Sequence, residues 1–195
     1  MYRGVTSLAL DRGIDPADVQ SVVALARAVR FGFPTLASAK AVNPPLLADG
    51  VDITGRLRRP VVDRTVSLIS SYGDVRETMV EQQRRLRQER SMVMVGRDIG
   101  TVVAQDAEVK IYLSASVEDR ARRRFEERRA LGLDASYEAT LTDLRQRDKL
   151  DSERTLSPLR PAEDAIMVDT TGYDLPRAVS LVLGIVRERL AEKIQ

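Results

Sequence analysis

The sequence predicts an α/β fold, a parallel sheet flanked by helices, and three observations predict it. From residue 91 onward, short apolar runs take turns with long segments of helical composition: "MVMV" (Met92–Val95), "VKIYLSA" (Val109–Ala115) and "AIMVDT" (Ala165–Thr170) read as strands. These runs are almost continuously apolar, as strands are when helices cover both faces of a parallel sheet. The first run also ends in a cation–anion pair, Arg97–Asp98, between Gly96 and Gly100. That is the carboxyl end of a strand, where open α/β sheets bind their ligands.

The elements follow in order. Tyr2 to Asp11 reads as a helix closed by Gly13. A second helix is expected from Asp15–Pro16, an N-cap followed by proline in the first turn, with Val19, Val22, Val23 and Ala26 on one face. From Phe31 to Pro60 the texture changes. Pro34, Pro44–Pro45, the turn signal Asp49–Gly50 and short apolar runs predict a small β-rich insertion over 31–60. Helices return at Val61–Ser70 and from Asp74 to Glu89, where the Asp74–Glu77 spacing is that of a capping box. Ser116 and Asp119 open an arginine-rich helix that ends at Gly132. Further helices are expected from Tyr137 to Leu150 and from Leu175 to Lys193. No repeat, low-complexity tract or long linker interrupts the chain, so one domain spanning 1–195 is expected.

Composition narrows the chemistry. Hydrophobic residues make up 43% and charged residues 31%, the balance of a chain that buries a core rather than staying disordered. No apolar run approaches the roughly 18 residues that span a bilayer, and the start "MYRGVTSLAL" lacks the long apolar segment of a signal peptide, so the cytoplasm is the expected location. There is no cysteine and no histidine. Disulfides, thiolate nucleophiles, imidazole acid–base chemistry and His- or Cys-ligated metals are therefore excluded. Of the 31 basic residues only Lys40, Lys110, Lys149 and Lys193 are lysine and the other 27 are arginine, the side chain whose planar fork suits phosphates and carboxylates. A GC-rich genome accounts for the same bias. A net charge of +2 does not by itself indicate a nucleic-acid binder.

Four constellations carry candidate chemistry. Arg97–Asp98, read alone, is better explained by a salt-bridged turn than by a ligand site. In "LRQRDKLDSERTLSPL", Arg147, Asp151 and Arg154 fall at i, i+4 and i+7, which on a continuous helix puts one carboxylate between two guanidiniums on one face. That arrangement suits a sugar hydroxyl plus a phosphate, or mutual salt bridges on a solvated face. Arg120 and Arg124, four apart, share a face and are able to grip a polyphosphate, although charged surface helices also look like this. Ser67 and Arg76, with the carboxylate of Asp98, make a plausible reader for a pyrimidine, which offers an amino donor and ring acceptors.

Taken together these residues resemble the bacterial cytidylate kinases, a branch of the P-loop nucleoside-monophosphate kinases. "GRDIGTVVAQDAEVKIYLSASVEDRARRR" carries the resemblance, which extends through "LRQRDKLDSERTLSPLRPAEDAIMVDTTG" and back through "DGVDITGRLRRPVV" to "MYRGVTSLAL". It covers essentially the whole chain in order. The resemblance implies transfer of the γ-phosphoryl of ATP to CMP or dCMP, with Mg²⁺ arriving on ATP and no metal ligand assignable in the chain. It makes Arg3 and Arg97 ligands of the CMP phosphate, and Ser67, Arg76 and Asp98 the cytosine readers. Arg147 and Asp151 hold the ribose and the lid, Arg154 is a lid arginine at the transferring phosphate, and Arg120 and Arg124 clamp ATP. Residues 31–60 become the monophosphate-binding insertion and 133–160 the lid region. A monomer acting on small molecules, with no nucleic-acid or membrane partner, is expected.

The sequence also departs from the family. The family opens with a strand, a G-x-x-x-x-G-K-[ST] loop, a helix and a second strand before the residues that match Tyr2–Arg3, and no such glycine–lysine pattern occurs in these 195 residues. The expectation is a nucleoside-monophosphate-kinase fold lacking its first strand, P-loop and second strand, with impaired turnover and Met1 as an internal methionine of a longer chain. Leu150 and Ser152 stand where the family often has further lid arginines. Two alternatives remain open: a kinase for UMP or another monophosphate, and a non-catalytic module that binds RNA or a nucleotide. Only 4% aromatic residues leaves the second few stacking platforms.

Overall fold

The structure is a computed structural model that describes residues 1–34, 45–89, 91–153 and 158–192. It divides into two compact units, Met1–Met94 and Val95–Gln195.

The first unit is built on helices. α1 (Tyr2–Asp11) and α2 (Val19–Ala28) turn their apolar sides inward, with Val5, Ala9, Val22, Leu25 and Ala26 in one core with Phe31, Ile53, Ile69, Val75 and Met79. Gly4 lets α1 approach this core closely, because a Cβ there would lie 2.5 Å from the buried ring of Phe31. α2 starts later than the sequence predicts. Asp15 and Pro16 form a turn, with the Asp15 side chain accepting from Ala17 N (2.9 Å), and Asp18 caps the helix by accepting from Ser21 N (3.1 Å). The cap with the donor in reach wins, and Val19 is left on the exposed side instead of the buried face.

The predicted β-rich segment contains three two-residue strands, β1 (Phe31–Gly32), β2 (Leu47–Ala48) and β3 (Val51–Asp52), paired antiparallel in that order. Asp49 and Gly50, both at positive φ (50° and 83°), make the tight hairpin that an Asp-Gly pair favours. Residues 35–44 of the expected insertion lie outside the described residues. The amide of Gln82 flanks β1, accepting from Phe31 N (3.0 Å) and donating to Val29 O (2.8 Å), so a side chain occupies part of an open strand edge. A 3₁₀ turn (Thr54–Arg56) leads to α3 (Pro60–Ile69), with proline at its first turn, and α4 (Gly73–Glu89) follows.

The second unit is a βαβ arrangement. A π-helical turn (Ile99–Val103) precedes β4 (Ile111–Ser114), then α5 (Val117–Ala130), α6 (Tyr137–Ser152), β5 (Ile166–Asp169) and α7 (Leu175–Glu192). β4 and β5 pair in parallel from Ile111↔Ile166 to Ser114↔Asp169, and α5 packs on α6. Ser116 caps α5 by accepting from Asp119 N (3.2 Å), as its position in sequence predicts, and Ser136 caps α6 by accepting from Ala139 N (3.3 Å). Among the described residues no helix is long and apolar enough to cross a membrane.

One predicted strand is corrected. Met92–Val95 forms no ladder, and Val93 and Val95 are 94% and 93% exposed. An apolar run becomes a parallel strand only when neighbours supply hydrogen bonds and layers cover both faces. The described ladder of this unit consists of β4 and β5, and neither pairs with this run. The carboxyl-end position of Arg97–Asp98 on a core strand is corrected with it.

Candidate functional site

The first unit gathers three of the candidate residues. Arg3 lies in the first turn of α1. Its Nη1 donates to Leu57 O (2.8 Å), and Nη2 pairs with Asp63 in the first turn of α3. Ser67 is one turn further along α3 than Asp63, on the same face. Arg76 on α4 is 5% exposed and donates from Nη1 to Ser70 O (3.0 Å), while the hydroxyl of Ser70 donates to Ser67 O (3.2 Å). The Arg76 guanidinium also stands 5.1 Å from the ring centroid of Tyr2, a cation–π contact that ties α4 to the start of α1. Buried guanidiniums are held this way only when polar and aromatic partners offset the loss of water.

The second unit gathers a different set. Asp151, 1% exposed, is ion-paired with Arg97, and Arg147 Nε lies 3.9 Å from the same carboxylate oxygen. This is the predicted carboxylate between two guanidiniums, although one of the two is Arg97 from outside the helix. α6 ends at Ser152 with Glu153 as its C-cap, and Arg154 lies outside the described residues. Asp98, 4% exposed, starts the π-helical turn, its carbonyl accepting from Val102 N (2.9 Å) and Val103 N (3.2 Å). The missing side chain of Gly96 makes room for Ile99, since a Cβ there would lie 2.8 Å from Ile99 Cγ1.

Arg120 is held at both edges of its fork. Nε donates to Ala115 O (3.0 Å), and Nη1 and Nη2 donate to the two oxygens of Asp148 on α6 (3.1 and 2.7 Å). Arg124, one turn on, is half-buried. Asp63 and Asp148 are the partners that the sequence reading does not single out. Their signal is weak, an acidic residue one turn before Ser67 and another beside Arg147, because the arginines they meet lie 60 and 28 residues away.

A cleft of about 490 Å³ lies beside these residues on α5, lined by Ser116, Asp119, Arg122, Phe125, Tyr137 and Gly172. It opens past the carboxyl ends of β4 and β5, the usual ligand position in such sheets. The hydrogen bond from Arg122 holds the Asp119 carboxyl below its ordinary range, against the opposing effect of burial. Arg123 stands 2.5 Å from the other Asp119 oxygen and donates to Thr170 O (2.6 Å), which ties α5 to the turn after β5. None of the described candidate residues lines this cleft. Among the described residues no group of three or more acidic side chains converges as a metal site.

Comparison with known proteins agrees with the reading of the motifs. The chain is 42% identical to a cytidylate kinase of Bacillus velezensis over 189 residues, covering 97% of this chain and 83% of that protein. It is 39% identical to the cytidylate kinase of Bacillus subtilis over the same shares of both chains. The chain is 37% identical to the cytidylate kinase of Caldanaerobacter subterraneus over 194 residues, again with 83% of that protein covered. A family model described as cytidylate kinase matches residues 1–188. The chain belongs to the cytidylate kinase family.

Proposed function

We propose that the function of this chain is phosphorylation of CMP and dCMP, passing the γ-phosphoryl of ATP to the monophosphate to give CDP or dCDP and ADP, with turnover impaired in these 195 residues because they hold no G-x-x-x-x-G-K-[ST] loop. The observation that carries the reading is the family match from residue 1 to residue 188. Cytidylate kinases take ATP as donor, with Mg²⁺ carried on its phosphates. The ion neutralises oxygens of the donor, and the arginines of this chain act on both nucleotides.

An oxygen of the CMP phosphate attacks Pγ, the bond from Pγ to the β,γ-bridging oxygen breaks, and ADP leaves with that electron pair. The transition state is loose and highly charged, so alignment and charge neutralisation do most of the work. Arg3 and Arg97 hold the acceptor phosphate. Arg147 and Asp151 hold the ribose and the lid, and Arg154 acts as a lid arginine at the transferring phosphate. Arg120 and Arg124 grip the donor phosphates. Ser67 and Arg76 donate to the acceptors of cytosine, and the carboxylate of Asp98 accepts from its amino group. Support for these roles comes from the two residue groups described above, each held by its own network of bonds. Residues 31–60 form the monophosphate-binding insertion and residues 133–160 the lid of a single monomeric domain. Lid closure excludes water, which competes as acceptor.

No G-x-x-x-x-G-K-[ST] stretch occurs in the 195 residues, so they supply neither the backbone cradle nor the phosphate lysine of such a loop. Calorimetric titration therefore tests recognition separately from turnover. CMP and dCMP are expected to bind at least about tenfold more tightly than UMP, whose carbonyl leaves the Asp98 carboxylate without a donor. A coupled assay with ATP and CMP is expected to give little or no CDP from these 195 residues alone. Equal binding of UMP overturns the cytosine reading, binding of RNA with a steep salt dependence favours the non-catalytic module, and robust CDP formation refutes the impaired turnover.

A further inference from the structure

We infer that Asp63 is the positioning residue that sets Arg3 against Ser67, and so sets the distance between phosphate anchor and base reader. The inference deepens the proposed function and rests on the reading of Arg3 as a ligand of the CMP phosphate.

α1 turns a polar stripe, Arg3, Ser7 and Asp11 at i, i+4 and i+8, toward the segment that leads into α3. Arg59, just before α3, donates to Ser7 Oγ (3.0 Å) and Asp11 Oδ1 (2.7 Å), and Arg56 donates to Asp11 Oδ2 (3.2 Å). These ties lock the far end of the stripe. At the near end the polarity reverses: Arg3 is the cation, and Asp63 and Leu57 O are its acceptors. Asp63 and Ser67 are four residues apart on one face of α3, about 6 Å along the axis. A guanidinium tied to Asp63 is therefore held at a set offset from the Ser67 hydroxyl.

Among the described residues, these bonds use two of the five N–H groups of Arg3, which leaves the others for a phosphate. Holding the fork removes rotamer freedom before the ligand arrives, so less is lost on binding. Asp63 and Arg3 are 23% and 29% exposed, so water screens the negative charge of Asp63 while its hydrogen bond still orients the fork. Orientation, not charge, is then the contribution of Asp63.

Titration of the full chain with CMP and with cytidine, which lacks the phosphate, tests this. Asp63→Ala releases the Arg3 fork and is expected to weaken CMP binding by about tenfold, and to leave cytidine unchanged. Asp63→Asn keeps an acceptor oxygen in place and is expected to restore CMP binding to within about twofold. Tighter CMP binding in both variants makes Asp63 a competing anion and overturns the inference. So does equal weakening of CMP and cytidine, which marks a purely structural residue. Arg3→Ala separates the two readings. If it weakens CMP while Asp63→Ala does not, only the inference falls; if it leaves CMP unchanged, the reading of Arg3 falls and the inference with it.

Discussion

A buried carboxylate between guanidiniums stores its energetics in the partners it keeps. Asp151 is almost fully enclosed, whereas Arg97 and Arg147 both reach water in part. Removing the carboxylate leaves two cations facing each other, but both can recover some hydration, so the cost falls below that of breaking a fully buried pair. Asp151→Ala is expected to destabilise by about 2 kcal/mol in urea unfolding, and Asp151→Asn by less, since an amide oxygen still accepts from an arginine. An unchanged midpoint for Asp151→Ala removes the ion pair from the account of stability. Residue by residue, the sequence singled out Asp151 with Arg147 beside it but did not join Arg97 to them, and Arg154 lies outside the described residues.

At the scale of elements, the helix ends are the best-determined features. Ser116, Ser136 and Asp174 cap α5, α6 and α7 through bonds reaching only three residues ahead, and such short-range chemistry is readable from sequence. The acidic groups of the second unit also give it a pH signature. Hydrogen bonds from Arg122 and Lys110 hold the carboxyls of Asp119 and Asp164 below their ordinary value of 3.8. In the folded state these groups bind fewer protons than in the unfolded chain, so their contribution is complete above that ordinary value. It is lost as pH falls through the lower folded values. Thermal unfolding followed from pH 7 down to pH 2.5 is expected to show a steep fall in melting temperature below about pH 4, shallower in Asp119→Asn. An identical slope in that variant rejects the role of Asp119.

Across the whole molecule, burial is distributed unevenly. The apolar cluster from Val5 to Met79 lies entirely in the first unit, and ten of its residues are at most 2% exposed. In the second unit Val103, Ala104, Ala121, Leu144 and Val168 are the buried apolar residues among those described, and α7 has no buried side chain. Opening free energy follows such packing. Hydrogen exchange is expected to be slowest in α1, α2 and α4 and fast in α7, despite its 18 residues of helix. Protection of α7 equal to that of α1 contradicts this picture.

The sequence by itself determined the helices, the Ser116 cap of α5, the Asp49–Gly50 hairpin, the absence of thiol and imidazole chemistry and the family of the chain. These depend on residue types and on hydrogen bonds that span a few positions. Tertiary structure alone decided that Met92–Val95 is unladdered with Val93 and Val95 exposed, and which distant carboxylates Arg3, Arg97 and Arg120 meet. The physical reason is range. A strand exists only through its neighbours and an ion pair only through its partner, and Arg3 finds Asp63 across 60 residues of chain.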